Sequence, residues 1–267
     1  MNQMASSDMT GALKPRPVVV NRLSKSYGQV GVIAGLDMRV DPGEFVSIVG
    51  PSGAGKTTLL RCLSGLMPPT SGEVTVGGQK VTEPLGEIGL VFQDYRGSLM
   101  PWMTTLDNVA FPLQGRGVAK AEREKIARRW LDDVGLAGAA EKYPWELSGG
   151  MQQRVAIARA LAYDAHILLM DEPFGSLDAQ TRLGLEDLVL RLRRRLGFSV
   201  ILVTHDIDEA VYMADRVVVL SGKPATVIDT VAIDLGMERD QIATKSDPRF
   251  VDYRNRVLSR FIGKDHA

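Results

Sequence analysis

Gly50-Pro51-Ser52-Gly53-Ala54-Gly55-Lys56-Thr57 constrains this chain more than any other stretch. It fits the pattern G-x-x-x-x-G-K-[ST], in which glycines let the backbone curl with its N–H groups turned inward around phosphate oxygens. Lys56 adds a positive charge for β- and γ-phosphates, and Thr57 adds a hydroxyl for Mg²⁺. The flanks agree with that use. Phe45-Val46-Ser47-Ile48-Val49 reads as a buried strand, and Thr58-Leu59-Leu60-Arg61-Cys62-Leu63 reads as a helix. A helix beginning here turns its unpaired N–H groups and positive dipole end toward the phosphates. The stretch is therefore read as a nucleotide site in an α/β chain.

A second apolar run, Ile167-Leu168-Leu169-Met170, ends in Asp171-Glu172-Pro173. It reads as a central parallel strand that delivers two carboxylates at its C-terminal end, where open α/β sheets place their sites. Adjacent side chains diverge from an extended backbone, so Asp171 can turn to Mg²⁺ and Glu172 to an attacking water. Ser199-Val200-Ile201-Leu202-Val203-Thr204 is another buried strand. The His205 that follows lies on the same sheet edge, within reach of a γ-phosphate.

Other places carry weaker signals or none. Ser148 is placed to cap a helix carrying Val155, Ile157, Ala158, Leu161 and Ala162. With Gly149 and Gly150 it forms either a second anion-binding helix terminus or a plain serine cap. Tyr27, beside Gly28 at the end of a strand-like segment, either stacks on a purine or packs locally. Gln93 closes the strand Ile88-Gly89-Leu90-Val91-Phe92 and carries no signal alone. Asp94 to Trp102 has loop composition, and its large apolar groups suit a local core or a contact surface equally.

The rest of the chain is ordinary globular material. It has 267 residues, 45% of them hydrophobic, enough for a large core. Thirty-two basic and 32 acidic residues cancel, so overall charge draws the chain to neither nucleic acid nor anionic lipid. The single cysteine, Cys62, has no internal partner and sits in an apolar helix, as in a reducing compartment. No uncharged stretch reaches the ~18 residues of a membrane span, and the N-terminal residues lack a secretory apolar run. Lys120 to Val134 patterns as an amphipathic helix, as do Ala179 to Leu196 and Arg249 to Ile262. Arg191, Arg193, Arg194 and Arg195 suit the C-terminal dipole of the second. Ser221-Gly222-Lys223-Pro224 reads as a turn.

The loop, Gln93, Leu147-Ser148-Gly149-Gly150, Asp171-Glu172, Ser176-Leu177-Asp178 and His205, in this order, resemble the ATP-binding subunit of an ABC transporter over about residues 17 to 221. The resemblance implies an α/β fold. It has a P-loop NTPase, RecA-like core with a mostly parallel central sheet, an N-terminal antiparallel β region and an inserted α-helical subdomain. It places the ATPase domain in 17–235, with the core in 17–92 and 164–235 and the helical subdomain in 93–163. Residues 1–16 are then a mobile tail, and 236–267 a C-terminal extension with a helix.

The same resemblance implies roles. ATP and Mg²⁺ are the ligands. Tyr27 stacks on adenine, Gly50 to Lys56 hold the phosphates, and Thr58 lies near the α-phosphate. Thr57, Gln93 and Asp171 serve Mg²⁺, Gln93 also senses the attacking water, Glu172 is the general base, and His205 is the switch histidine. Ser148, Gly149 and Gly150 form the signature that binds the γ-phosphate of another subunit, with Asp178 in the D-loop beside it. One position departs from the family pattern: Met151 stands where the signature usually has Gln.

The family geometry implies a head-to-tail pair of cassettes, identical or paralogous, joined to separate membrane-spanning permease subunits at the cytoplasmic face of the cell membrane. The helical segment after Gln93 then contacts those subunits, which turns Tyr95 to Trp102 toward a contact surface. Leu99-Met100-Pro101-Trp102, Thr105-Leu106-Asp107-Asn108-Val109 and the run Leu147 to Arg154 look like the nitrate, sulfonate and taurine importer group. In that group a solute-binding protein delivers cargo to the permease, and no nucleic acid is involved. The competing reading is a soluble ABC-type ATPase acting on nucleic acid or ribosomes, or a regulatory cassette.

Overall fold

The computed structural model describes residues 16–93 and 95–262. The expected tail therefore lies outside the described residues, except for Arg16, whose guanidinium is paired with Glu87.

Two long strands open the fold, β1 (Val18–Tyr27) and β2 (Val30–Val40), antiparallel from Val18 against Val40 to Tyr27 against Val30. The chain then leaves this sheet for a second one. β3 (Phe45–Val49) is buried along its whole length, as an unbroken apolar run demands. Gly55, at φ +86°, ends the loop that follows, and α1 (Lys56–Leu63) begins at once. The helix therefore starts two residues earlier than Thr58, with Lys56 and Thr57 already in its first turn. β4 (Ser71–Val76) and β5 (Gln79–Lys80) return to the first sheet, completing the antiparallel order β2-β1-β4-β5.

β6 (Ile88–Val91) leads out to a helical region: α2 (Tyr95–Ser98), α3 (Thr105–Gln114), α4 (Lys120–Asp133) and α5 (Gly149–Ala162). Val109, Leu131, Val134 and Val155 of this region share one core. The loop expected over Asp94 to Trp102 is thus partly helical. Asp94 lies outside the described residues, and Tyr95–Ser98 form a helical turn held by Arg159, whose Nη1 donates to the Ser98 carbonyl at 2.6 Å. The apolar groups after it divide, Leu99 buried and Trp102 72% exposed. Buried Asn108 fixes this stretch, accepting from Met100 N and donating to the carbonyls of Met100, Met103 and Thr104.

The chain re-enters the second sheet as β7 (Ile167–Asp171), crosses through α6 (Ala179–Leu196) to β8 (Ser199–Val203), and through α7 (Ile207–Met213) to β9 (Arg216–Leu220). β10 (Val227–Ala232) pairs antiparallel on the outer edge, and α8 (Pro248–Ile262) packs near it. The strand order is β10-β9-β3-β8-β7-β6, parallel from β9 to β6.

This sheet divides the core in two, because side chains alternate across it. Phe45 and Val49, Leu168 and Met170, Val200 and Leu202 pack against the helices of one face. Val46 and Ile48, Ile167 and Leu169, Ile201 and Val203 pack against α1 and the antiparallel sheet. Cys62 is buried there, and burial pushes its thiol pKa up, so it acts as a small apolar group. Phe250 and Val257 seat α8 in the other half, so the C-terminal helix belongs to the same core.

Three of the four arginines near the end of α6 lie in its last turn and also have protein partners. Arg193 Nε donates to the Gly43 carbonyl at 2.9 Å and pairs with Asp215, Arg194 pairs with Glu238, and Arg195 with Asp133.

Candidate active site

Parallel strands end together, so β3, β7 and β8 carry the phosphate loop, the carboxylates and His205 to one sheet edge. Gly55 cannot be replaced there without strain. Its φ is left-handed, and a Cβ would stand 2.6 Å from Val32 Cγ1 of β2. Lys56 Nζ donates to the loop's own carbonyls at Gly50 (2.8 Å) and Pro51 (3.0 Å), which holds the ammonium under the loop. Burial lowers the pKa of that ammonium, and the charges of Glu172 and Asp171 oppose the shift.

Glu172 follows β7 with φ +42°, a left-handed backbone that costs a non-glycine residue about 1 kcal/mol or more. Its N–H donates to the Val203 carbonyl at 2.8 Å, which ties the turn to β8. Its Oε2 accepts from Gln93 Nε2 at 3.3 Å and lies 3.0 Å from His205 Nδ1. Three residues expected at the reaction centre are thus in direct contact. Asp171 is almost fully buried, and its Oδ1 has no hydrogen-bond partner. Burial raises its pKa, a hydrogen bond with Thr57 lowers it, and the Glu172 charge raises it. An orphaned carboxylate oxygen beside a threonine hydroxyl suits a hard divalent cation that takes its remaining ligands from phosphate and water. The residues present fit Mg²⁺.

A cavity of about 800 Å³ is lined by Ser52 to Thr58 together with Tyr27, Val30, Val32, Glu172, His205 and Lys223. Tyr27 is half exposed at its rim, with its hydroxyl 3.1 Å from Met67 Sδ. Thr57, Gln93 and Asp171 line an adjoining cavity of about 440 Å³, with Leu60, Leu90 and Phe92. Ser148, Gly149, Gly150 and Asp178 line neither. Ser148 Oγ instead accepts from Met151 N at 3.3 Å as the N-cap of α5, and Asp178 accepts from Thr181 N at 3.0 Å as the N-cap of α6. Hydrogen bonds from the backbone N–H and the side chain of Thr181 hold the Asp178 pKa down. Met151 packs its side chain against the core, so this departure from the usual residue fills apolar space.

Several residues in or beneath the site carried no signal in the sequence. Val30 and Val32 line the cavity only because β2 passes the loop, and Lys223 only because its turn does. Beneath His205 lie Thr204, Asp206, Glu209 of α7 and Arg182 of α6. Glu209 is buried with its Oε1 unpartnered, and its pKa rises to about 8. Desolvation is the main cause, with the charges of Glu186 and Asp206 adding to it while Thr204 and Arg182 oppose it.

The folded chain therefore keeps a proton on Glu209 that the unfolded chain releases above its ordinary range. Stability falls as pH climbs from that range to about 8. Glu209→Gln is expected to flatten this fall by ~2 kcal/mol or more in urea midpoints compared at about pH 5 and about pH 8. An unchanged slope would show that Glu209 is ionised in the fold.

A cradle of backbone N–H groups with a lysine beneath it, and a carboxylate held by histidine and glutamine a strand away, can hold a triphosphate and direct water at it. That defines a P-loop nucleoside-triphosphate hydrolase. Residues 33–175 match the ABC transporter family, and the chain belongs to that family as an ABC-type ATPase that takes ATP with Mg²⁺.

It is similar, at 47% identity over 90% of this chain and 89% of the relative, to an uncharacterised ABC transporter ATP-binding protein of Methanocaldococcus jannaschii. The nitrate import ATP-binding protein NrtD of Synechocystis sp. is 44% identical over 89% of this chain and 91% of its own. The taurine import ATP-binding protein TauB of Escherichia coli K12 is 42% identical over 93% and 98%. Among solved structures, the ATP-binding cassette MJ0796 in a dimeric post-hydrolysis state bound to ADP and Pi superposes with a TM-score of 0.72. That structure is 35% identical, covering 81% of this chain and 99% of the other.

Proposed function

We propose that this subunit powers uptake of a small solute, a nitrate-, sulfonate- or taurine-like anion or organic acid, through separate permease subunits. It works at the cytoplasmic face of the cell membrane. Among the described residues no helix is long and apolar enough to cross a membrane, so attachment there falls to the permease. A solute-binding protein meets the cargo outside. The relatives named for nitrate and taurine import support this reading. The domain division follows the family: core in 17–92 and 164–235, helical subdomain in 93–163, extension after 235.

The observation that carries the enzymatic part is the contact of Glu172 with both His205 and Gln93 beside the phosphate loop. Glu172 takes a proton from the attacking water, His205 holds the Glu172 carboxylate and reaches the γ-phosphate, and Gln93 orients the water. Lys56 and the loop N–H groups bind the phosphates, Thr58 borders the α-phosphate, and Tyr27 packs on adenine. Thr57 and Asp171, with Gln93, hold Mg²⁺, whose chemistry is to neutralise phosphate charge. Ser148, Gly149, Gly150 and Asp178 line neither cavity of their own chain, which supports their service to the ATP of a second subunit. Two chains then close head to tail, and hydrolysis reopens them.

The test is reconstitution in proteoliposomes with permease subunits of the nitrate or taurine importer type. ATP-dependent uptake of labelled taurine, alkanesulfonate or nitrate is the expected result. ATPase stimulation by RNA or ribosomes, without association with any permease, would overturn it.

A further inference from the structure

The sequence marks Ser221-Gly222-Lys223-Pro224 as a chain reversal and nothing more. In the fold this turn is pinned beside the phosphate loop from both sides. Ser221 N donates to the Thr226 carbonyl at 2.9 Å, and Ser221 Oγ accepts from Thr226 N at 2.9 Å, which closes its base. Just after it, Ala225 N donates to the Val32 carbonyl at 2.8 Å and the Ala225 carbonyl accepts from Ala34 N at 3.0 Å. The turn is thereby stitched to β2. Just before it, Leu220 abuts the loop's first residue, its Cβ 3.1 Å from where a Cβ on Gly50 would stand.

From this anchored turn Lys223 extends over the loop. A Cβ built on Gly53 would lie 3.7 Å from Lys223 Cε and 3.8 Å from its Nζ. Lys223 lines the same cavity as Ser52 to Thr58, Glu172 and His205. Among the described residues its ammonium has no hydrogen-bond or ion-pair partner. Lys56 differs in this respect, since loop carbonyls hold it in place.

We propose that Lys223 is a second cation for the phosphate chain of the bound nucleotide, working with Lys56. The position over Gly53 selects phosphate rather than base, because glycine-rich loops of this pattern offer their backbone N–H groups to phosphate oxygens and Lys223 shares the cavity with Lys56 and Thr57. A compact ammonium on a flexible stem suits a point contact to phosphate oxygens. The turn therefore contributes to nucleotide affinity through one side chain that no local motif announces. The inference rests on the reading of this cavity as the phosphate site.

Calorimetric binding of ATP to the full chain in EDTA tests it without any metal. Lys223→Gln is expected to weaken ATP by about ten-fold at low salt, with Lys223→Arg within about two-fold of wild type. The loss should shrink as added salt shortens the screening length. Thermal melting of each variant, run alongside, should be unchanged because the side chain is exposed and unpaired. If Lys223→Gln binds as wild type while Lys56→Gln is weakened, this inference falls and the phosphate site stands. If Lys56→Gln also binds as wild type, the phosphate site itself falls. Equal weakening in the Gln and Arg variants, or a loss that ignores salt, would overturn a role for the charge.

Discussion

Glu172→Gln is expected to lower ATP turnover by ~10²- to 10⁴-fold while ATP affinity stays within a few-fold of wild type. Glutamine keeps the size of the side chain and a hydrogen-bonding oxygen for His205 and Gln93, so the contacts at 3.0 Å and 3.3 Å can persist. What it loses is the capacity to take a proton. In the proposed function, binding rests on the loop, Lys56 and the groups assigned to Mg²⁺, none of which changes. Single-turnover hydrolysis of labelled ATP and equilibrium binding on the same preparation separate the two quantities. Turnover within about three-fold of wild type would remove Glu172 from the role of base. The pairing reading adds a second expectation: ATP that is bound and not cleaved should leave the variant as a dimer on gel filtration, and a monomer would count against a composite site.

Gly150→Ala should lower stability by about 2 kcal/mol, against the usual direction for this exchange. Inside an open helix, alanine in place of glycine is favourable by roughly 0.5–1 kcal/mol. At Gly150 a Cβ would stand 2.2 Å from Thr181 Cγ2, far inside contact distance, so either the β-branched Thr181 side chain must leave its rotamer or α5 and the start of α6 must separate. Overpacking of that kind costs about 1–3 kcal/mol and outweighs the helical gain. Thr181→Ala removes the colliding methyl, and the double variant should recover most of the lost stability in a denaturant series. No recovery would show that the collision is not the cause. ATPase activity read on the double variant then separates packing from ligand contact: if Gly150 also faces the ATP of a second subunit, activity stays low after stability returns.

The two halves of this site were legible to very different degrees. Gly50 to Thr57, Asp171, Glu172 and His205 could be found from the chain because each sits where an apolar strand ends, and strand ends announce themselves in composition. Ser148 is legible as a helix cap, since capping is a matter of one side chain and a backbone N–H three residues on, whereas Asp178, which caps α6 in the same way, reads in the sequence only as the end of a turn. Gln93 had no signal of its own and was assigned through the order of motifs around it. The segment Tyr95–Ser98 was misread as loop because Gly97 and Ser98 lower helix propensity, while the Arg159 contact that supports the turn comes from a distant helix.

Local chemistry in the chain was therefore enough for the phosphate loop and the carboxylates, while the order of the motifs along the chain carried the resemblance to the family and its ATPase activity. Glycine dihedrals, apolar runs and caps act over a few residues and leave a pattern in the text of the sequence. Packing alone brought Lys223 over Gly53, set Thr181 against Gly150, and buried Glu209 beside Glu186 and Asp206. Those pairings join residues far apart along the chain, where the selecting force is the space left between a sheet and its helices, and no short stretch encodes that space.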